Sequence, residues 1–305
     1  MEPNLEDFNK LEKYRINIFS SHAKFLLLEV IEPWVKNILP AIPPPSKDLK
    51  YIPLGLIVED RATFLLRFCV LNTILMGRLR MPIRVCTTSS SFDSINQLLG
   101  DLKEWVEIVK LDQVDITHIT DISYNSLLKK ASFWRKLPSE KILVIQTDAL
   151  LIEPLEFQIF SYDYVGAPWS RKKFTHEFPV YSNDLVEEKS VYSVISNLNS
   201  EIDGSLVLGN GGLSIRNKRL MIDICESESS IESEGEDVYI SRSLLSRKAM
   251  LPPVNVARRF SCETKYYTSI GSHKSHLYLS GEQQAEIYER HFKHLTALIR
   301  ASSIT

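Results

Sequence analysis

A short apolar run that ends in a carboxylate lies near the middle of the chain, at residues 141–152. Its first five residues, Lys-Ile-Leu-Val-Ile, are aliphatic apart from the lysine and too few for a helix, so they predict a buried strand. Gln146, Thr147 and Asp148 follow at once. Because ligands of open α/β sheets bind at the carboxyl ends of the strands, Asp148 is expected to face a metal ion or a nucleotide phosphate. The alternative is that Asp148 only opens a turn ahead of Pro154.

Apolar runs before this strand alternate between the spacing of strands and that of helices. Strands are predicted at residues 51–58, 83–87 and 106–111, and helices at residues 64–79, 94–99 and 124–137. Such alternation is typical of βαβ units, so the fold class is α/β with a mixed, mostly parallel sheet flanked by helices. Glu59 and Arg61 directly follow the first strand, which repeats the polar strand end seen at Asp148.

The chain divides into three predicted parts. Residues 1–50 have helical spacing, end in a proline-rich stretch and form a helical lead-in with a packing role. A membrane-surface role is the weaker alternative because the polar face lacks a basic stripe. Residues 51–280 form the main domain, with a polar, weakly periodic stretch at 170–203 that predicts a flexible insertion. Residues 281–305 form a terminal amphipathic helix.

Composition limits the classes of partner. A net charge of −2 argues against nucleic acid as a partner, because phosphate backbones are held by clustered Lys and Arg. The four cysteines are far apart, so neither a zinc site nor a disulfide scaffold is predicted. No transmembrane segment is expected, since no apolar stretch reaches the length of a membrane span, and the first residues lack the apolar centre of a signal peptide. These features predict a cytoplasmic location.

Glycines cluster at the start of a second conspicuous stretch, where Gly209, Gly211 and Gly212 fall within four positions. Glycines let a ligand approach the backbone closely, so the cluster predicts the floor of a sugar or phosphate site. A tight turn between strands is the alternative. A P-loop is excluded because the Gly-Lys-Ser/Thr ending is missing.

Two further pairs of residues are candidates for a site. Glu236 and Asp237 begin an amphipathic helix, where Ser233 and Glu236 match a capping box that leaves Asp237 unexplained. His273 and Lys274 lie beside a glycine and suit a metal ligand next to a phosphate-binding cation. A solvent-exposed His-Lys pair is the alternative.

Several motifs together resemble a known family. The segments QTD, YDYVGAPW, GNGGLSIR and GEDV, with FSCE and GSHK further on, resemble an uncharacterised family of predicted glycosyltransferases with the GT-A type nucleotide-diphospho-sugar transferase fold. The resemblance spans residues 51–278. It implies an enzyme of the hexosyl- or pentosyltransferase class that uses a nucleoside diphosphate sugar as donor and a glycan, a glycoconjugate or another hydroxyl compound as acceptor.

The resemblance also implies a divalent metal ion, Mn²⁺ or Mg²⁺. Gln146, Thr147 and Asp148 occupy the place of an Asp-x-Asp motif whose last carboxylate binds the metal, and Gln146 replaces the first acid. Such cations take part of their coordination shell from substrate phosphates, so one protein carboxylate can suffice. His273 matches a further metal ligand of the family, and Lys274 matches a cation that neutralises the leaving diphosphate.

The remaining roles follow the same resemblance. Glu236 and Asp237 match the element that supplies the catalytic base of inverting transferases, with Asp237 favoured, since a hydroxyl becomes a good nucleophile when a carboxylate takes its proton. The donor site is expected to include glycines, polar residues and one aromatic residue: Gly211, Gly212, Asp163, Trp169, Glu59 and Arg61.

Three alternatives remain open at this point. A retaining reaction is the nearest, because stereochemistry depends on the sugar face that the acid approaches. A non-catalytic nucleotide-sugar or glycan-binding protein is an alternative of a different class, in which Gln146 no longer allows a metal to bind. A phosphohydrolase on a similar sheet is disfavoured by the absence of a Gly-x-Ser-x-Gly motif.

Overall fold

The structure, a computed structural model, describes residues 5–46, 52–111, 118–168, 209–230, 234–244 and 247–303. The predicted insertion at 170–203 and Trp169 lie outside these residues. The first part of the chain forms four helical segments: α1 (Leu5–Leu26), a π-helical turn (Leu27–Ile31), α2 (Glu32–Asn37) and a 3-10 turn (Leu39–Ala41). None of the described helices is long and apolar enough to cross a membrane.

Strands and helices then alternate. The next elements are β1 (Leu54–Val58), α3 (Phe64–Met76), β2 (Ile83–Thr87), α4 (Phe92–Leu99), a 3-10 turn (Gly100–Leu102), β3 (Val106–Lys110), α5 (Asp121–Leu128), α6 (Ala131–Arg135) and β4 (Lys141–Ile145). They are followed by β5 (Ala149–Leu151), a 3-10 turn (Phe157–Ser161), β6 (Tyr164–Pro168) and β7 (Gly209–Asn217). The last elements are α7 (Lys218–Ser227), α8 (Glu236–Leu244), α9 (Val254–Phe260), β8 (Ser261–Cys262), β9 (Gly271–His273), α10 (Ser275–Tyr278) and α11 (Gly281–Ser302).

A six-stranded sheet forms the centre of the fold, in the order β3-β2-β1-β4-β7-β6. The strands β1 to β4 are parallel, and β7 runs antiparallel to both of its neighbours. The predicted α/β class with a mixed, mostly parallel sheet flanked by helices is therefore confirmed. Because β7 runs in reverse, its glycine-rich start lies at the same edge as the carboxyl ends of β1 and β4.

Both faces of this sheet are buried at the central strands β1 and β4, as their apolar sequences require. In β4, Leu143 and Ile145 pack into one core cluster, while Ile142 and Val144 pack into the other. The fold is thus three layers, with helices on each side of the sheet. The first cluster also takes in residues of the first and last helices, including Leu26 and Leu295.

Three features of the fold differ from the expectations. The helix predicted at 124–137 is two helices, because the indole of Trp134 donates a hydrogen bond to the carbonyl oxygen of Leu128 at 2.8 Å and satisfies the end of α5. The glycine cluster is not a turn, since all of Gly209–Asn217 is one strand. A second sheet of β5, β9 and β8 was not predicted. It joins segments far apart in sequence, which local spacing does not reveal.

Candidate functional site

The candidate site lies where the carboxyl end of β4 meets the small sheet. Gln146 continues β4, and its backbone N–H donates to the carbonyl oxygen of Gly212 at 2.8 Å. In the small sheet, Ala149 is paired with His273. The backbone N–H of Lys274 donates to the carbonyl oxygen of Asp148 at 3.2 Å. Pairing between β5 and β9 therefore brings together the two segments that the motifs singled out, although 125 positions separate Asp148 from His273.

Three potential ligand atoms converge at this point. The Nε2 atom of His273 lies 2.9 Å from Oε1 of Gln146 and 3.2 Å from Oδ1 of Asp148. The side chain of His273 is 2% exposed, whereas that of Asp148 is 34% exposed. The imidazole thus forms the inner wall of the site, and the carboxylate opens toward solvent.

The electrostatic coupling between these groups is strong. Burial disfavours the charged carboxylate, but the charge and hydrogen bonding of His273, together with Lys274, hold the pKa of Asp148 well below its ordinary range. Burial likewise disfavours an imidazolium, yet Asp148 and Glu263 raise the pKa of His273 above its ordinary value. Asp148 is therefore a carboxylate at neutral pH and attracts a cation, whether a proton on His273 or a metal ion.

Lys274 is held in an unusual backbone conformation. Its φ is 47°, in the left-handed region that residues other than glycine rarely adopt. Its ammonium lies 3.9 Å from Oδ2 of Asp148. Such strained conformations cluster at active sites and ligand-binding positions, so Lys274 is a candidate functional residue.

The residues present fit a divalent cation that keeps part of its coordination shell for other ligands. Among the described residues, no group of three or more His, Cys, Asp and Glu side chains could hold a metal. Asp148 and His273 supply two ligands, and the amide oxygen of Gln146 supplies a third in place of the missing acid. Oxygen ligands suit Mg²⁺ and Mn²⁺, while a nitrogen ligand favours Mn²⁺ over the more strictly oxygen-binding Mg²⁺.

Gly211 and Gly212 make room for side chains of the protein itself. A Cβ atom on Gly212 would lie 2.2 Å from Nε2 of His273 and 2.7 Å from Oε1 of Gln146. A Cβ atom on Gly211 would lie 2.2 Å from Oε1 of Glu236 and 2.5 Å from an Arg216 nitrogen. The glycines are therefore needed for the approach of the site residues to β7, whereas the prediction gave them a role as a floor beneath the donor.

The two acids at the start of α8 have different environments. Glu236 is 3% exposed, and its oxygens accept hydrogen bonds from Arg216 at 2.6 and 2.8 Å. This buried ion pair fastens α8 to β7 and argues against Glu236 as a base. Asp237 is partly exposed, and its Oδ2 accepts a bond from the N–H of Gly211 at 3.4 Å. Asp237 is thus less buried than Glu236, and its bond to Gly211 lies one residue along β7 from Gly212.

A cleft beside Asp148 extends from the end of β4 toward the end of β1. Its lining includes four predicted donor-site residues besides Asp148 and Lys274: Glu59, Arg61, Gln146 and Thr147. Glu59 is nearly buried and organises this end, because it accepts bonds from Arg61 at 2.7 and 2.8 Å and from Thr147 at 3.2 Å. The Arg61 side chain is 71% exposed. Arg61 is therefore the member of the pair that presents its charge to the cleft.

Asp163 is not brought to this cleft. It precedes β6 at the opposite edge of the sheet, where Oδ1 accepts a bond from Asn217 at 2.8 Å and Oδ2 accepts one from the N–H of Met250 at 2.9 Å. Its carboxylate joins loops at the far edge and is not among the residues that line this cleft. Trp169 lies outside the described residues.

A family model matches residues 106–277, which is more than half of the chain, and is described as "Protein of unknown function (DUF5672)". The chain belongs to the DUF5672 family. The match runs from β3 to α10 and so includes β4, the glycine strand β7, Asp237, His273 and Lys274. A search of curated proteins found no match to this DUF5672 chain.

Several solved structures are similar to the DUF5672 chain. They include the mannosyltransferase PcManGT from Pyrobaculum calidifontis in complex with GDP-Man and Mn²⁺, with 14% identity and a TM-score of 0.39 over 80% of this chain and 66% of that one. The bifunctional glycosyltransferase WbbM has 11% identity and a TM-score of 0.46 over 81% of this chain and 52% of its own. The galactosyltransferase LgtC, in complex with donor and acceptor sugar analogues, has 12% identity and a TM-score of 0.44 over 81% and 96%.

The DUF5672 chain therefore spans about two thirds of the mannosyltransferase and about half of the bifunctional enzyme. The similar structures are glycosyltransferases, as the motif resemblance predicted, but likenesses at this level assign no residue, substrate or activity.

Sequence reasoning missed part of the site of the DUF5672 chain. The cleft is also lined by Thr120, Asp121 and Tyr124 from the start of α5. A signal was present, because Thr120 and Ser123 form a capping box that fixes the start of that helix. Glu263, which faces Nδ1 of His273, and Asn210, which donates to Glu263, were quoted within motifs but given no role.

Proposed function

We propose that this protein is a glycosyltransferase that moves a sugar from a nucleoside diphosphate sugar to a hydroxyl acceptor, with metal assistance and inversion of configuration. The observation that supports it is the convergence of Asp148, His273 and Gln146 beside Lys274, at the mouth of a polar cleft. Carboxylate, imidazole and ammonium groups at a strand end suit a diphosphate with its cation better than they suit a neutral ligand.

Asp148 and His273 would hold the cation, and the amide oxygen of Gln146 would be a third ligand. When bound, Mn²⁺ or Mg²⁺ stabilises negative charge on the departing diphosphate. Lys274 acts on the same charge, since its ammonium already lies 3.9 Å from Oδ2 of Asp148. Arg61, oriented by Glu59, presents a second cation farther along the cleft, where the nucleoside end of the donor lies.

Asp237 is the base of the proposed reaction. Its Oδ1 accepts a bond from the N–H of Val238 at 2.9 Å, and its Oδ2 accepts the longer bond from Gly211. These bonds orient the carboxylate, and its partial exposure leaves it able to take the proton of an acceptor hydroxyl. The buried pair of Arg216 and Glu236 sets the position of Asp237 by fixing the start of α8.

A binding protein without catalysis is the second candidate, favoured by one observation. Gln146 is neutral where an Asp-x-Asp motif has an acid, so the site has one carboxylate fewer with which to hold a metal. The two candidates differ in product: an enzyme with its donor and Mn²⁺ releases nucleoside diphosphate, and a binding protein does not.

The test has two stages. A thermal-shift screen of nucleotide sugars with Mn²⁺, Mg²⁺ or a chelator finds the donor, because a ligand at 100 times its Kd stabilises the fold by about 2.7 kcal/mol. Release of nucleoside diphosphate from that donor is then measured for the wild type and for Asp148→Asn. We expect release that depends on metal and is lost in Asp148→Asn, while Glu289→Gln, the same kind of change at an exposed position of α11, retains it.

Three outcomes contradict the proposal. Donor binding without release in any metal supports the binding protein. Release of free phosphate without nucleoside diphosphate supports a phosphohydrolase. Full activity of Asp148→Asn shows that the site lies elsewhere.

A further inference from the structure

A buried carboxylate that no step above has used lies behind His273. Glu263 is 1% exposed, and its Oε1 lies 3.4 Å from Nδ1 of His273. We propose that Glu263 is a positioning residue, which holds the imidazole of His273 so that Nε2 is directed at Asp148. This inference rests on the proposed function, because it concerns the metal ligand assigned there.

The fold places Glu263 beside His273 by strand register. The strands β8 and β9 are parallel, with Ser261 paired with Gly271 and Cys262 paired with Ser272. Glu263 is the next residue after β8 and His273 the next after Ser272, so the two side chains are neighbours at the end of the ladder. A carboxylate at this position is therefore built into the small sheet and is not an accident of a surface loop.

The glycine strand fixes Glu263 from the other side. Asn210 is 6% exposed, and its Nδ2 donates to Oε1 of Glu263 at 2.8 Å. The Oδ1 atom of Asn210 accepts a bond from the N–H of Gly212 at 2.7 Å. Asn210 thus connects the carboxylate of Glu263 to Gly212, which has no side chain and so leaves room for His273. This network determines where the imidazole lies against β7.

The arrangement decides which imidazole nitrogen faces the site. The ring has a carboxylate on each side, with Glu263 near Nδ1 and Asp148 near Nε2. A proton on Nδ1 is stabilised by Glu263 and leaves the lone pair of Nε2 free, as a metal ligand requires. A proton on Nε2 would instead point at Oε1 of Gln146, 2.9 Å away, and would block coordination. Glu263 favours the first form, while the carboxylate of Asp148 and the amide oxygen of Gln146 favour the second. The effect of Glu263 is therefore largest when a cation at Asp148 offsets that carboxylate.

The geometry indicates electrostatic control more than a short hydrogen bond. At 3.4 Å, the contact between Nδ1 and Oε1 is longer than an ideal bond between nitrogen and oxygen. The substitution that tests the proposal should therefore remove the charge of Glu263 and keep the shape of its side chain. In metalloproteins, loss of such a partner costs about 10 to 100-fold in metal affinity.

The experiment measures Mn²⁺ affinity by electron paramagnetic resonance, with Mn²⁺ alone and with Mn²⁺ plus UDP or GDP. Glu263→Gln keeps the acceptor for Asn210 and removes the charge, and we expect its Mn²⁺ affinity to fall about 10-fold or more. Glu263→Asp keeps the charge and should retain more affinity than Glu263→Gln. Glu153→Gln is the matched control, because Glu153 is 13% exposed and paired with Arg259 and Arg290, and its affinity should equal that of the wild type. Equal affinity of Glu263→Gln and the wild type overturns the proposal.

A second measurement compares the metal-free wild type with Glu263→Gln. Nitrogen NMR of histidine-labelled protein in alkaline buffer reports which nitrogen of neutral His273 carries the proton. We expect a larger share of the form with the proton on Nδ1 in the wild type than in Glu263→Gln, and equal shares overturn the proposal. This result stands even if the wild type binds no Mn²⁺ with either nucleotide, in which case the proposed function loses its metal while the positioning of His273 is still decided.

Discussion

Replacing Gly212 with alanine tests whether His273 and Gln146 need to lie close to the backbone of the glycine strand. The added Cβ atom would lie 2.2 Å from Nε2 of His273, and ordinary contact begins at 3.4 Å, so the imidazole has to move by 1.2 Å. The same atom would lie 2.7 Å from Oε1 of Gln146, which has to move by 0.7 Å to reach the same limit. The φ of Gly212 is outside the left-handed region, so the effect comes from the Cβ atom and not from backbone strain.

Both displacements act on proposed metal ligands. A shift of about 1 Å at a catalytic group can cost on the order of 100-fold in rate, and overpacking a buried site costs about 1–3 kcal/mol in stability. We expect Gly212→Ala to remain folded, to lose Mn²⁺ affinity and to release nucleoside diphosphate about 100-fold more slowly than the wild type.

Gly100→Ala is the matched control. A Cβ atom there meets nothing within 4 Å, so its stability, Mn²⁺ affinity and rate should equal those of the wild type. Wild-type Mn²⁺ affinity and rate in Gly212→Ala would refute the reasoning, because they would show that His273 and Gln146 need not approach the strand as described.

Three further predictions concern the base, the buried ion pair and the buried histidines. Asp237→Asn should bind donor normally and transfer sugar about 100-fold or more slowly, and unchanged transfer would move the base elsewhere. Arg216→Met leaves Glu236 as an uncompensated buried charge, so denaturant unfolding should show a loss of about 3–5 kcal/mol, with wild-type stability contradicting the pair's role. Burial lowers the pKa of His22 to about 4 and the pKa of His291 well below its ordinary value of 6.5. The folded state therefore binds fewer protons than the unfolded state, so the free energy of unfolding is highest above pH 6.5 and falls toward pH 4. We expect a lower free energy of unfolding at about pH 5 than at neutral pH, and a smaller decrease in His22→Gln.

The central sheet could be predicted because its strands carry their signal locally. The bounds of β2 and β4 match the expectations, since each is a run of mostly apolar residues bounded by polar ones. The split of the helix between Leu128 and Ala131 was not predicted, because the bond from the Trp134 indole to Leu128 that ends α5 leaves no trace in the spacing of the apolar residues. The strand Gly209–Asn217 was missed because glycine disfavours strands unless close neighbours require it, and those neighbours come from distant segments.

The candidate site was predicted in part for similar reasons. Asp148, Thr147 and Gln146 follow a strand and were found by position, while His273 and Lys274 were matched by motif. The burial of Arg216 was not predicted. A buried arginine needs a partner charge, and the partner Glu236 comes from a different segment of the chain. The motif did not show that Asp163 lies away from the cleft, because a motif gives no information on which edge of the sheet a residue reaches.

The central claim is that Asp148 and His273 together hold a divalent cation with a nucleoside diphosphate. Anomalous diffraction from crystals grown with Mn²⁺ and UDP or GDP measures this directly. We expect a manganese peak bonded to Oδ1 of Asp148 and Nε2 of His273, with diphosphate oxygens completing its coordination. A nucleotide bound in the cleft with no manganese peak, or a peak that contacts neither residue, would contradict it.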